Sequence, residues 1–254
     1  MTGVQTCALP ISELPPKAAR AAVVREPGEA PEQRIAVSGP GARALLTHPA
    51  IAGRADAVAP LTVYSAPSSC DQADVHAVRE LMSAGTRVLV DSSHPGWLTA
   101  LPQGAGWIRL HAEGETPFAE VVVDEEAGIF SVSATAGLLD AIGAPSVEVL
   151  ALPGLIADRL QYTLTNEAIG VVEEGTAEET AVDLALKLGM NHPRGPLEVL
   201  AARGEGTVLA GLRGMQESFG DPRYRPAPLL VRRAAGKLRR GLRGGGESFL
   251  RLPI

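Results

Sequence analysis

The sequence predicts an α/β unit followed by an all-α unit, on three observations. Short apolar strands alternate with amphipathic helices from Arg34 to about Ala151. After Pro153 the β signal stops and only helical periodicity remains. A chain of 254 residues with 45% hydrophobic content can bury one sizeable core or two smaller ones.

Taken in order, residues 1–11 of "MTGVQTCALPIS" resemble the translation of a sequencing adapter and show no periodicity, so they are set apart as a scar. The native frame is then expected to begin upstream, making this the C-terminal part of a longer protein. Residues 12–33 are rich in Pro, Ala and charge and read as a linker. Residues 34–152 read as the α/β unit. "RIAVSGPGARALL" gives a strand, a Gly-Pro-Gly turn and a helix start, and "LTVYSAP" a second strand. "CDQADVHAVRELMSAG" gives a helix closed by Gly85, and "TRVLVDSS" a third strand. Further strands are expected at 107–111, 118–123 and 147–151, with a helix over 133–142. Residues 153–254 read as the helical unit: one helix ending at Gly175, one over 176–189, one from Leu197 to about Phe219, and one near 229–238. Thr176 with Glu179 forms the pattern of a capping box, and Gly189 is placed to supply a left-handed C-terminal residue.

Composition excludes several classes. Apart from the scar only Cys70 remains, which leaves no disulfide framework and no multi-Cys zinc site and fits a reducing cytoplasm; no metal site is expected. No apolar run approaches the roughly 20 residues of a membrane span. The net charge is −6, but residues 232–254 carry seven basic residues against one Glu, a surplus of six that leaves −12 elsewhere. No aromatic residues interleave with those charges, so the tail reads as a solvated terminus and not as a nucleic-acid interface.

The first long helix is apolar on two faces. Ile156, Leu160, Leu164, Ala168, Val171 and Val172 form one stripe, while Leu155, Tyr162 and Ile169 lie opposite. Such a helix runs through a domain centre or is covered by a second subunit. The loop "NHPRGP" at 191–196 contains His192, with two prolines that stop a helix and Gly195 for a reversal. It reads as an interhelical turn, with His192 a loop residue and not a base.

The segments "PGLIADRL", "TNEAIGVVEEG", "AVDLALKLGMNHPRGPLEVL" and "GDPRYRPAPLL" together resemble, in order over about 153–230, the helical C-terminal domain of the 3-hydroxyacyl-CoA dehydrogenases. The basic, Gly-rich end with Phe249 is similar to how these enzymes often close. The resemblance implies a Rossmann-like dinucleotide domain before the helices, with NAD as cofactor and an acyl-CoA as substrate. Gly39, Gly41 and Ala44 keep a G-x-G-x-x-A turn for a pyrophosphate, but the region some 20 residues on, "PLTVYSAP", offers no ribose carboxylate. Gly39 to Asp91 spans 52 residues, about half of what the family places there, so strand–helix units are expected to be missing. The α/β unit therefore resembles the reduced Rossmann domain in the second half of the long, internally duplicated bacterial forms.

The family's mechanism implies a His that takes the 3-hydroxyl proton, a Glu that orients it, and a Ser and an Asn on the substrate. His111 and Glu120 occupy the first two places, although "AEGETP" follows the His and the spacing of nine is shorter than the family's. The alternative is a partly exposed strand-end His. Ser92 or Ser93 resembles the family's Ser, with a turn before Pro95 as the alternative. Asp158 stands where "PGF-x-x-N-R" has Asn; an ionised carboxylate accepts but cannot donate, and Arg159 beside it suggests a structural ion pair instead. The chain is thus expected to be a 3-hydroxyacyl-CoA dehydrogenase by family, lacking its main catalytic half, or a non-catalytic docking module of a larger dehydrogenase. Either is expected to assemble as a homodimer, or as a pseudo-dimer with a missing N-terminal half.

Overall fold

A computed structural model describes residues 24–28, 34–57, 59–66, 70–112, 116–124, 129 and 133–244. The scar, Phe249 and most of the stretch read as a linker lie outside them. The α/β part contains β1 (Val24–Arg25), β2 (Ala36–Ser38), α1 (Ala42–Leu45), α2 (Pro49–Ala52), β3 (Leu61–Ser65), α3 (Gln72–Ser83), β4 (Arg87–Asp91), α4 (Trp97–Ala100), β5 (Gly106–His111), β6 (Phe118–Val122), α5 (Ser133–Ile142) and β7 (Ser146–Val149). The helical part contains α6 (Ala157–Glu173), α7 (Glu179–Gly189), α8 (Pro196–Arg203), α9 (Glu205–Phe219) and α10 (Pro228–Gly244).

The strands form one sheet in the order β1-β7-β6-β5-β4-β3-β2. β2 to β5 are parallel, β6 returns antiparallel to β5, and β7 is parallel to β6. β3 and β5 are buried along their whole length, as strands covered on both faces should be. Alternation divides their side chains between two cores. Leu61, Val63, Leu89, Ile108, Leu110 and Val121 pack with Leu138, Leu139 and Ile142 of α5 on one face. Tyr64, Val88, Val90, Trp107 and Val122 pack on the other with Trp97 and Leu155, the residue that leads into α6. Val24 and Arg25, in the stretch read as a linker, extend the far edge by pairing antiparallel with β7.

The helical part has its own core, including Tyr162, Ile169, Leu200, Val208, Leu212 and Leu230. Where one helix was expected from Leu197 to Phe219, two form, because Gly204 sits at φ +87 and breaks the run. The Thr176 capping box does not form; Glu178 is the N-cap of α7. Gly189 stays helical, and Asn191, at φ +53, supplies the left-handed residue. The loop before α8 is built around Asp183 of α7, whose carboxylate accepts from the Leu197 and Glu198 amides at 2.8 and 3.1 Å. A Cβ on Gly195 would lie 2.2 Å from that carboxylate, so only glycine fits the approach. This contact accounts for the loop, and half-buried His192 takes no part in it.

Leu155, Tyr162 and Ile169 are all buried within the chain. They are therefore not the face open to a second subunit. Only the first turn of the opposite stripe is open, where Ile156 and Leu160 are 50% and 65% exposed, together with Leu184, Leu188 and Met190 on and after α7; further along the stripe Ala168 is buried in the helical core and Val171 and Val172 pack against it.

Candidate active site

The antiparallel β5–β6 pair sets the geometry. His111 pairs with Phe118 and Arg109 with Glu120, so Glu120 is the diagonal neighbour of His111 on the same face of the sheet. A hairpin of this register needs only eight residues between the two, and the short spacing leaves them together. His111 Nε2 lies 2.8 Å from Glu120 Oε2. Glu120 Oε1 accepts the Ile156 amide at 2.7 Å and the Ala157 amide at 3.3 Å, placing the carboxylate on the first turn of α6, where the backbone dipole favours negative charge. With Nε2 engaged, Nδ1 is the nitrogen left to accept a proton. His111 is buried and not partly exposed: the Phe118 ring stacks on it at 4.4 Å.

One turn of chain away, Asp158 is fully buried. Its Oδ2 accepts from Arg109 Nε at 2.8 Å and from Ser93 Oγ at 2.7 Å, while Arg203 donates to its Oδ1. Burial pushes the Asp158 carboxyl up, but the Arg109 and Arg203 guanidinium charges outweigh it and hold the group well below the usual carboxylate range. Arg109 Nη1 also reaches Asp91 at 3.2 Å, and Asp91 accepts from Ser65 Oγ at 2.6 Å. Asp158 is thus an ion-pair residue, but its partners are not Arg159, which donates to the Tyr224 hydroxyl at 2.7 Å and lies over the Phe219 ring. Of the two serines, Ser92 does take the turn role, donating to the Ala66 carbonyl and accepting the His94 amide. Ser93 is the one that faces Asp158.

The glycine turn lies at the β2 edge of the sheet. Gly39 adopts φ +88, and a Cβ there would lie 2.6 Å from the Ser65 carbonyl oxygen; the Gly41 amide donates to that same oxygen at 2.8 Å. The turn is therefore tied to β3. The helix that follows, α1, has four residues, too few to present a row of free amides and a dipole to a pyrophosphate. Among the described residues β2 is an edge strand, and from β2 to β7 the sheet order never reverses, so there is no switch point to form a dinucleotide crevice. No carboxylate ends β3, whose last residues are Tyr64 and Ser65. These residues do not fit an NAD molecule. Among the described residues no group of His, Cys, Asp and Glu is arranged to hold a metal ion, and no helix is long and apolar enough to cross a membrane.

Comparison with known proteins decides the lineage. Residues 154–246 match the family model described as 3-hydroxyacyl-CoA dehydrogenase, C-terminal domain. A probable 3-hydroxybutyryl-CoA dehydrogenase of Deinococcus radiodurans is 35% identical over 160 residues, covering 59% of this chain and 55% of that protein. The helical part of the chain, residues 154–246, belongs to the 3-hydroxyacyl-CoA dehydrogenase C-terminal domain family. Another member, a probable 3-hydroxybutyryl-CoA dehydrogenase of Bacillus subtilis, is 42% identical over 93 residues, 37% of this chain and 32% of its own length. The chain thus spans about half or less of the length of these dehydrogenases. The fold is that of the crystal structure of M. tuberculosis FadB2, which superposes with a TM-score of 0.63 at 19% identity over 81% of this chain and 94% of that one. The dehydrogenase fold is therefore a Rossmann-like sheet with the family's helical domain.

Proposed function

We propose that the chain works within an NAD-dependent 3-hydroxyacyl-CoA dehydrogenase, an assembly that oxidises 3-hydroxyacyl-CoA to 3-oxoacyl-CoA, and that it supplies the helical docking surface and not the dinucleotide seat. The observation that carries this reading is the pairing of the family's helical domain with a β2 edge whose turn is bonded to β3 and followed by a four-residue helix. His111 and Glu120 keep the arrangement of a base and its orienting carboxylate, and Ser93 and Asp158 lie beside them. Phe118 stacks on the His111 ring, and the Arg109–Asp158–Arg203 ion pairs lie on the neighbouring first turn of α6.

The surface proposed for assembly is the exposed apolar face of Ile156, Leu160, Leu184 and Leu188, which accepts the same face of a second copy. Light scattering at micromolar concentration should give a dimer for the wild type and a monomer for Leu160→Asp; a wild-type monomer contradicts it. The catalytic half is tested by NADH formation from 3-hydroxybutyryl-CoA and a longer 3-hydroxyacyl-CoA, with calorimetry for NAD. The isolated chain should neither turn over nor bind NAD. Loss of a single oxyanion donor alone costs about 10²- to 10³-fold in rate. Turnover at ordinary enzyme rates that vanishes on His111→Ala would instead make this chain the catalyst.

A further inference from the structure

A cavity of about 530 Å³ opens outside the carboxyl ends of β3 and β4, between the glycine turn and helices α6, α8 and α9. It is in the size range of small-molecule sites, and it is concave and walled by both parts of the chain. Its lining differs in kind from a dinucleotide cleft. Three guanidinium groups reach it, from Arg109, Arg194 and Arg203, against the single carboxylate of Asp91. Asp158 behind the wall pins two of them, through Arg109 Nε and Arg203 Nη1. Those two planar forks are arranged before any ligand arrives, which lowers the ordering cost of binding an oxyanion.

A second observation is independent of the charges. The Tyr162 side chain lines the same cavity and is 1% exposed; Arg203 faces its oxygen, and no described residue accepts its O–H. The Arg203 guanidinium lies over the face of the Tyr162 ring, 5.5 Å from its centre. A buried phenolic O–H without an acceptor is costly, and an oxygen atom in the cavity would satisfy it.

We propose that this cavity binds a small molecule through a terminal oxyanion, a phosphate or a carboxylate, gripped by Arg194, Arg203 and the Tyr162 hydroxyl. The site adjoins the His111–Glu120 pair through Arg109 and Asp158 but contains neither His111 nor Glu120, and it does not depend on dehydrogenase turnover. Calorimetry on the full chain at constant ionic strength tests it, with phosphate and pyrophosphate as one arm, succinate and adipate as the other, and chloride as the blank. One arm should bind saturably at one site per chain, and which arm does so identifies the source of the oxyanion. Arg194→Gln should weaken that binding about tenfold or more, a loss of one charged hydrogen bond. Tyr162→Phe should weaken it less while keeping the wild-type melting temperature or raising it, since no described residue accepts the O–H it removes. No saturable binding in either arm, binding unchanged in both variants, or saturable NAD binding abolished by Arg194→Gln would each overturn the proposal.

Discussion

Two regions of the sheet have fared differently. At the β5–β6 pair in its interior, His111 and Glu120 meet at 2.8 Å although the chain between them is short. At the β2 end, the glycine pattern survives in sequence while the elements that would use it have shrunk to a four-residue helix and an edge strand. The difference teaches that a pair held by strand register survives shortening, because an antiparallel ladder restores the contact at any hairpin length that keeps the register. A nucleotide seat depends on a helix, a neighbouring strand and a crevice together, and fails when any one is lost.

The largest effect expected bears on the junction between the sheet and the helices, where Asp158 joins Arg109 of β5 to Arg203 of α8. Asp158→Asn removes the buried anion that Arg109 and Arg203 share, leaving Arg109 with Asp91, and should destabilise the chain by about 3 kcal/mol in urea or guanidinium titration. A change below about 1 kcal/mol would show that Asp158 is not the tie between the two parts. The same residue sets an acid limb. Its folded carboxyl is held below the unfolded value of about 3.9, so its contribution is fully present above that pH and is lost as pH falls through the folded value. Stability measured from about pH 5 downward should therefore fall more steeply in the wild type than in Asp158→Asn.

Glu120→Gln should come next, at about 1.5–3 kcal/mol, because a charged acceptor of two α6 amides and of His111 becomes a neutral one. A loss as small as that of a surface substitution would mean that the dyad geometry is incidental. Gly39→Ala should cost about 1–3 kcal/mol, since the residue sits at φ +88 and its Cβ would meet the Ser65 carbonyl. That cost reports a turn kept for the sheet's own bonding, in keeping with the loss of its ligand role.

Much of this was legible in the sequence, for identifiable reasons. The run from Gly39 to Asp91 is too short for a full dinucleotide domain, and the sheet accordingly ends on β2. His111, Glu120 and Asp158 stand in motifs that can be matched one by one. The partners of Asp158 were not legible, because Arg109 and Arg203 lie 49 and 45 residues away and nothing local marks them; adjacent Arg159 was the misleading choice. Register also defeats spacing, which is why a separation of nine between His111 and Glu120 looked too short. The Thr176 pattern failed because α7 begins later, at Glu179, where packing against α6 and α8 overrides a local cap.

The smallest effect expected concerns Ala44. In a working dinucleotide turn the third small residue lets the helix pack closely on the strand, so a long side chain there disrupts both fold and binding. Here Ala44 lies in a four-residue helix and is exposed to solvent at the rim of the cavity, with no strand pressed against its Cβ. Ala44→Gln should then change stability by no more than about 0.5 kcal/mol, the range of ordinary surface substitutions. The measurement is a urea titration beside Gly39→Ala. Tolerance at Ala44 together with a clear loss at Gly39 separates a turn retained for β3 from one retained for a cofactor. A loss above about 1 kcal/mol at Ala44 would show that close helix–strand packing persists at this edge, and that the two regions of the sheet are less different than the backbone shows.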